Sequence, residues 1–172
     1  LTTPSGNIHG MSLAALCGLG DPRLTALYDE PVPVIDPGKV AIIGARDLDL
    51  GEKDNLRSAG ALVLSMEQVD RIGMVAALEQ CIEQVSRDVD GIYLSMDLDA
   101  LDPRFAPGVG TPVPGGLTYR EGHLACEVVA ETGKLIGMDV VEVNPILDEK
   151  NQTAKIAVEF ACSALGSRVW QG

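Results

Sequence analysis

Two acidic residues spaced two apart, Asp97 and Asp99, stand where an apolar run of the sequence ends. In an extended strand, alternate side chains share one face. We therefore expect both carboxylates on the same side of the chain, where they repel each other with no basic residue between them. Solvation in a loop, protonation or a hard divalent cation would relieve that repulsion. The pair alone leaves the solvated loop and the cation site open as interpretations.

The elements that must position this pair alternate between strand and helix along the chain. Buried strands are predicted at residues 40–44, 61–64, 91–97 and 135–143. Apolar residues at helical spacing predict helices at residues 74–85 and 152–165. A third helix is predicted at residues 119–131, where Thr118 and Glu121 form a capping-box pattern. This alternation predicts an α/β fold with a mostly parallel sheet.

Composition limits the class of protein and its partners. A length of 172 residues with 46% hydrophobic content predicts a single domain, residues 1–172, with a real core. The sequence has 13 Lys and Arg against 25 Asp and Glu, so its formal net charge is −12. That charge disfavours nucleic acid and an anionic membrane surface as partners.

Cysteine usage and hydropathy predict a cytoplasmic location. Cys17, Cys81, Cys126 and Cys162 lie far apart in apolar or helix-like segments, and we interpret them as reduced core thiols. No apolar run approaches the roughly 20 residues that a membrane span needs. The first residues also lack the basic and apolar regions of a signal peptide. Residues 28–38 contain three prolines and are predicted to be an irregular connection.

Acidic residues recur at the carboxyl ends of the predicted strands, where open parallel sheets bind their ligands. They fall in three places: residues 46–52, the pair Asp97 and Asp99, and Glu142. A calcium loop of the EF-hand type is excluded by its spacing, because Asp102 is the third aspartate and Gly108 stands at the closing glutamate position. Taken alone, the aspartates would leave magnesium as the alternative metal.

Five segments together carry a stronger signal than any one motif. They are residues 5–10 (SGNIHG), 44–52 (GARDLDLGE), 95–103 (SMDLDALDP), 110–122 (GTPVPGGLTYREG) and 141–145 (VEVNP). With these segments, in this order, the chain resembles the arginases of the ureohydrolase family over almost its whole length. The resemblance implies a three-layer αβα fold and a binuclear manganese hydrolase that converts L-arginine to L-ornithine and urea. It also implies a homo-oligomer, a trimer or a hexamer.

The resemblance assigns roles to the residues of the reaction centre. It implies that Asp97 bridges two Mn²⁺ ions and that Asp99 binds one of them. Such metals would activate water at neutral pH for attack on the guanidinium carbon. Glu142 would pair with the substrate guanidinium, with Thr111 as its neighbour. His9 matches the proton-shuttle histidine of the family. Without the resemblance, His9 would be a partly exposed structural residue before a predicted helix at residues 11–19.

A second set of residues matches the family's contacts to the amino acid end of the substrate. Ser5 and Asn7 match residues that contact the carboxylate, and Thr3 is a further candidate. Asp49 and Glu52 match residues near the α-amino group. Their alternative role is ordinary turn and capping chemistry. Because agmatine lacks the carboxylate, the contacts of Ser5 and Asn7 favour L-arginine over agmatine as the substrate.

The family pattern also contains metal ligands that this chain does not show. They are a histidine and an Asp-x-His-x-Asp segment, which would precede Leu1. Asp97 and Asp99 are two of the six usual ligands, so the resemblance implies the carboxyl-terminal portion of an arginase-like catalytic domain, incomplete on its N-terminal side. We expect such a chain to be inactive alone. We also expect an unpaired apolar edge at residues 40–44 or on a neighbouring strand, which would favour association.

Two other functions remain open at the level of the sequence. The chain could belong to a ureohydrolase that acts on another guanidino substrate, such as agmatine or formiminoglutamate. It could also be a non-catalytic fragment that acts in assembly. His123, the second histidine, departs from the family pattern inside a predicted helix, and we assign it no chemistry.

Overall fold

Two pairs of parallel strands carry the fold in the computed structural model, which describes residues 3–26 and 33–170. The strands are β1 (Ala41–Ala45), β2 (Leu62–Ser65), β3 (Ile92–Asp97) and β4 (Leu135–Val141). β1 pairs with β2, and β3 pairs with β4. The parallel pairing is as predicted, but the described strands form two separate sheets in place of one. β4 ends earlier than predicted because Glu142 has φ +68°, a left-handed conformation that cannot continue a strand.

Seven α-helices lie in the described part of the chain. They are α1 (Ser12–Leu16), α2 (Pro22–Thr25), α3 (Leu50–Ala59), α4 (Met66–Ile72), α5 (Met74–Ser86), α6 (Tyr119–Glu131) and α7 (Gln152–Ala164). The structure confirms the three helices predicted at residues 74–85, 119–131 and 152–165. The helix predicted at residues 11–19 is shorter, because a 3-10 turn at Ile8–Met11 precedes it. None of these helices combines the length and the apolar character that crossing a bilayer requires.

Capping boxes fix where several helices begin. The Thr118 hydroxyl accepts a hydrogen bond from the backbone N–H of Glu121, and the Glu121 carboxylate accepts one from the N–H of Thr118. The same reciprocal arrangement begins α3 at Asp49, directly after β1, and α4 at Ser65, directly after β2. The starts of α3 and α4 are thereby placed within a few residues of the ends of β1 and β2.

α3 and α4 were not predicted from the sequence. One cysteine, Cys162, was wrongly predicted to lie in the core. α3 buries none of its residues, so it has no apolar stripe to detect, and its capping box is its main signal. All four cysteines are free, as predicted, but Cys162 is exposed because it lies on the solvent side of α7. In the predicted connection, residues 28–32 lie outside the described residues, and Pro37–Lys39 forms a 3-10 turn.

The core anchors the segment that carries the aspartate pair. One hydrophobic cluster lies between the β3–β4 sheet and the helices α6 and α7, with Phe160 at its centre. Leu98 and Leu101, on either side of Asp99, are 0% and 1% exposed in this cluster. Burial of each leucine contributes about 2 kcal/mol. Because these leucines point inward, the turn that contains Asp97 and Asp99 is held in one orientation.

The outer face of the β3–β4 sheet is open among the described residues. Leu94 and Met96 pack into the core, whereas Tyr93 is 57% exposed and Ser95 is also exposed. The β1–β2 sheet differs, because α5 covers one face while α1 and α3 line a cavity with Ile42 on the other. The total accessible surface is 10325 Å². This area is larger than the surface of about 8,100 Å² that is expected for a compact monomer of this mass.

We predict that close packing of α6 on α7 requires glycine at position 122. A Cβ on Gly122 would lie 2.3 Å from Cζ of Phe160, which is fully buried. Gly122→Ala should lower the free energy of unfolding by about 1–3 kcal/mol, measured by thermal or urea unfolding. Gly10→Ala is the control, because a Cβ there meets nothing within 4 Å. Adding Phe160→Leu to Gly122→Ala should cost less than the sum of the two single changes, and strict additivity would contradict the proposed contact.

Candidate active site

The end of β3 places Asp97 and Asp99 on one compact turn. Asp97 is the last residue of the strand, and a 3-10 turn at Leu98–Ala100 follows. The Asp97 carboxylate caps this turn by accepting a hydrogen bond from the backbone N–H of Asp99 at 3.1 Å. This single N–H neutralises little of the charge of two carboxylates.

Burial and like charge act together on Asp97. They raise the pKa of its carboxyl to about 6, first through burial and then through the charge of Asp99, with a smaller contribution from Glu142. The three carboxylates therefore lie close enough to affect one another. A site that disfavours the charge of its own carboxylates favours a proton or a cation among them.

The loop after this turn brings Thr111 and Gly110 to the same place. The Thr111 hydroxyl donates a hydrogen bond to Oδ2 of Asp99 at 2.6 Å. A Cβ on Gly110 would lie 3.7 Å from Oε2 of Glu142, so the loop passes directly beside that carboxylate. Glu142 itself has φ +68°, which costs a residue with a side chain about 1–3 kcal/mol and is found most often at functional sites.

His9 reaches this group from the far end of the chain. Its Nδ1 lies 3.5 Å from Oε1 of Glu142, across 133 positions of sequence. The His9 side chain is 55% exposed and that of Glu142 is 26% exposed. The histidine can therefore exchange protons with solvent while it contacts a half-buried carboxylate. The structure thus brings together the five predicted residues of the reaction centre: His9, Asp97, Asp99, Thr111 and Glu142.

The residues predicted to contact the amino acid end form a second group. The hydroxyls of Thr3 and Ser5 lie 3.2 Å apart, and Ser5 Oγ accepts a hydrogen bond from the N–H of Asn7 at 3.3 Å. Asp49 and Glu52 form the capping box of α3. Ser5 and Asn7 therefore show turn chemistry, and Asp49 and Glu52 show capping chemistry. These were the alternative roles of the four residues. No hydrogen bond or ion pair among the described residues links this group to the reaction centre.

A cavity of about 450 Å³ nevertheless joins Thr3 to Asp49 and Glu52. Its other walls are largely apolar and come from α1, α3 and β1. Partial burial raises the pKa of the Glu52 carboxyl, and the charges of Asp49 and Asp47 add to that effect. Carboxylates at the edge of an apolar cavity are suited to a ligand with a cationic group.

Two residues to which the sequence assigned no role hold the loops of the site. The Arg46 guanidinium donates hydrogen bonds to the carbonyl oxygens of Asp99 and Val113, at 2.7 and 2.6 Å. Asp102 is 5% exposed and accepts hydrogen bonds from Arg104 Nε and from the N–H of Gly115. These bonds hold the pKa of the Asp102 carboxyl well below its usual range. The contacts of Arg46 and the bond between Asp102 and Gly115 join residues that are distant in sequence, so no local pattern indicates them.

The donor chemistry of Asp97 and Asp99 fits a hard divalent cation, which prefers carboxylate oxygens. In residues 3–26 and 33–170, no group of three or more His, Cys, Asp or Glu side chains is arranged to hold a metal. By themselves, the two aspartates would supply only part of a coordination shell. His123 lies elsewhere, where its Nδ1 is 2.8 Å from the Ser163 hydroxyl and its ring packs on Tyr119 and Phe160.

Comparison with known proteins shows to which family this chain belongs. A model of the arginase family matches residues 1–166. The chain belongs to the arginase family. The arginase of Brevibacillus brevis is 48% identical over 168 residues, which are 98% of this chain and 56% of that protein.

Solved structures of the family give the same result for the fold. The arginase of Bacillus caldovelox matches 98% of this chain with a TM-score of 0.94 at 51% identity, and the match covers 56% of that protein. A proclavaminate amidino hydrolase from Streptomyces clavuligerus matches 77% of this chain with a TM-score of 0.69 at 34% identity, over 43% of its own length. These matches confirm the arginase-like α/β fold. The chain spans little more than half the length of the arginases it matches.

We predict that Asp97→Asn stabilises the metal-free protein at neutral pH. The pKa of the Asp97 carboxyl is higher in the folded than in the unfolded protein, so its deprotonation opposes folding. That cost is fully present above about pH 6 and disappears as the pH falls towards about 3.9, the unfolded value. With allowance for solvent screening, the gain at pH 7.5 should be about 1 kcal/mol.

The measurement is thermal unfolding in a chelator at pH 7.5 and pH 4.5. Asp97→Asn should raise the melting temperature by about 2–4 °C at the higher pH and by less at the lower pH. Asp70→Asn, on the exposed face of α4, should change neither value. A lower melting temperature for Asp97→Asn at pH 7.5 would contradict the conclusion that the charge of Asp97 destabilises the folded protein.

Proposed function

We propose that this protein is an arginase, which hydrolyses L-arginine to L-ornithine and urea with two Mn²⁺ ions. The observation that carries the proposal is the convergence of Glu142 with Asp97 and Asp99, where burial and then the like charges of Asp99 and Glu142 raise the pKa of Asp97. A guanidinium is a planar cation, and a carboxylate is its natural partner. Membership of the arginase family supports this choice of substrate.

Each residue of the reaction centre has a chemical task in this proposal. Asp97 and Asp99 would hold manganese, which when bound supplies water activated for attack at neutral pH. Glu142 binds the guanidinium and orients its carbon towards the two aspartates. Thr111 fixes the Asp99 carboxylate through its hydrogen bond. His9 moves protons between the site and solvent, a task supported by its exposure and its 3.5 Å contact with Glu142.

The amino acid end of L-arginine would be recognised by the second group of residues. Asp49 and Glu52 supply negative charge for the α-amino group from the edge of the cavity. The hydroxyl and amide groups of Ser5 and Asn7, with Thr3, suit the α-carboxylate. Their turn and capping bonds are compatible with this task, since a residue already held by the backbone is pre-organised for a ligand.

The remaining parts of the proposal concern the protein as a whole. Residues 1–172 would form a single domain, which is supported by one family model that spans residues 1–166. Two carboxylates cannot complete two manganese sites, so further ligands must join them, and residues 1–172 alone are expected to be inactive. We further propose a cytoplasmic homo-oligomer, a trimer or hexamer, with no nucleic acid or membrane partner. The net charge of −12 supports the exclusion of polyanionic partners.

A second candidate is a ureohydrolase for another guanidino substrate, such as agmatine or formiminoglutamate. Asp49 and Glu52 are engaged in a capping box, and Ser5 is engaged in a turn, which favours this alternative if those bonds persist with substrate. The likeness to a proclavaminate amidino hydrolase supports this candidate, because the name of that protein gives a substrate other than arginine. Agmatine differs from L-arginine only at the amino acid end, whereas formiminoglutamate also carries a formimino group at the reacting end.

Urea release is the experiment that separates these candidates. The protein, expressed from its complete gene and loaded with Mn²⁺, should release urea from L-arginine at a kcat/KM at least about 100-fold above that for agmatine, because agmatine leaves the contacts to the carboxylate unpaired. Equal turnover of agmatine or formiminoglutamate would transfer the function to the second candidate. Absence of urea from L-arginine and agmatine, and of formamide from formiminoglutamate, with two manganese ions bound, would refute both.

Variants of the reaction centre should separate metal binding from catalysis. Asp97→Ala should abolish binding of two manganese ions, whereas His9→Ala should retain both and slow turnover. Glu142→Gln should retain the metals and lower kcat/KM for L-arginine roughly 10- to 100-fold, because shape is kept while charge is lost. The exposed Glu83→Gln on α5 is the matched control. Normal manganese content in Asp97→Ala would remove that residue from the metal site.

A further inference from the structure

The Arg46 side chain gathers backbone carbonyl groups from two separate loops. Its Nη2 donates to the carbonyl oxygens of Val113 at 2.6 Å, Asp99 at 2.7 Å and Leu101 at 3.3 Å. Its Nη1 donates to Ala100 at 3.3 Å, and its Nε donates to Val113 at 3.0 Å. All three nitrogen atoms of one guanidinium therefore contact the backbone of residues 99–101 and of Val113.

These carbonyl groups belong to the segments that carry the reaction centre. Asp99 is a candidate metal ligand, and Val113 lies two residues after Thr111, which donates to the Asp99 carboxylate. The Ala100 carbonyl also accepts a hydrogen bond from the backbone N–H of Leu117. Carbonyl groups of an irregular turn without such a backbone bond need a partner in water or in a side chain. Arg46 supplies that partner from a half-buried position. It thereby fixes the turn and the loop relative to each other.

The backbone of Arg46 connects this point to the start of α3, where the residues predicted to contact the amino group lie. Arg46 directly follows β1 and stands three residues before Asp49, which begins α3 and lines the cavity with Glu52. β1 and β3 belong to different two-stranded sheets among the described residues, so no strand ladder holds their carboxyl ends together. The guanidinium of Arg46 joins the end of β1 to the turn that follows β3.

We propose that Arg46 is a positioning residue that sets the separation between the reaction centre and the amino-group contacts, and so selects the length of the substrate. This rests on the proposed function for its substrate class, an α-amino acid with a terminal guanidino group. Catalytic rates are sensitive to this separation, because a misplacement of about 1 Å costs roughly 100-fold. Arginine suits the task, since its planar fork offers five donors in fixed directions, whereas lysine offers one mobile ammonium.

The test compares Arg46→Met and Arg46→Lys with Arg57→Met in the protein expressed from its complete gene. Arg57 is the matched control, because it lies on the adjoining helix α3 and its guanidinium forms an exposed ion pair with Asp54. The first readout is hydrogen exchange of the backbone amides of residues 99–102 and 115, measured on the protein without metal. These amides bond within the turn and to the neighbouring loop. In Arg46→Met their exchange should accelerate at least about tenfold while amides in α6 and α7 keep their rates.

The second readout is substrate length. L-Homoarginine has one methylene more than L-arginine, a difference worth about 10- to 200-fold in kcat/KM in a well-defined pocket. Arg46→Met should lower kcat/KM for L-arginine roughly 100-fold. It should also lower the ratio of kcat/KM for L-arginine to kcat/KM for L-homoarginine roughly tenfold. Arg46→Lys should give intermediate values, and Arg57→Met should match the unchanged protein.

Specific outcomes would overturn the proposal. Unchanged exchange at residues 99–102 in Arg46→Met would show that Arg46 does not hold the turn. An equal loss of activity on both substrates, with faster exchange throughout the protein, would show a general structural role without length selection. If the unchanged protein released no urea from either substrate, the proposed function would fail and length selection with it, while the exchange rates would still decide whether Arg46 positions the turn.

Discussion

Repulsion between Asp97 and Asp99, held together on a half-buried turn, is the constraint on which the rest of the site depends. The carboxylates cannot move apart, because Leu98 and Leu101 are buried in the core on either side of Asp99. They cannot be fully solvated, because burial contributes most to the raised pKa of Asp97. A proton or a cation among the carboxylates would relieve the repulsion. A bound cation would complete the electrostatics that the fold leaves unbalanced.

The surrounding loops are built to keep this unfavourable arrangement in place. Arg46 holds the carbonyl groups of the turn, and the buried carboxylate of Asp102 holds Gly115 in the following loop. The left-handed backbone of Glu142 ends β4 and turns its carboxylate towards Gly110 and His9. The favourable contacts of the core and of these loops offset the cost of strain and of like charge. The stability of the core and loops thereby maintains the strained backbone and the like charges at the carboxyl ends of the strands.

The elements whose signals are local in sequence were predictable. Apolar runs indicated all four strands, and the capping box of Thr118 and Glu121 placed the start of α6 at the correct residue. The division into two sheets was not predictable, because strand pairing is set by tertiary contacts that leave no local pattern in the sequence. Family motifs indicated the five residues of the reaction centre, which the structure brings together. The contacts of Arg46 and the backbone conformation of Glu142 arise from tertiary structure and leave no local pattern.

The central claim is that a metal ion occupies the space that Asp97 and Asp99 share. Anomalous X-ray diffraction from crystals of the protein, expressed from its complete gene and soaked in Mn²⁺, tests it most directly. We predict manganese peaks within coordination distance of both carboxylates, about 2.0–2.6 Å, with Glu142 outside that distance. Manganese bound elsewhere, with the two aspartates contacted only by protein and water, would contradict it.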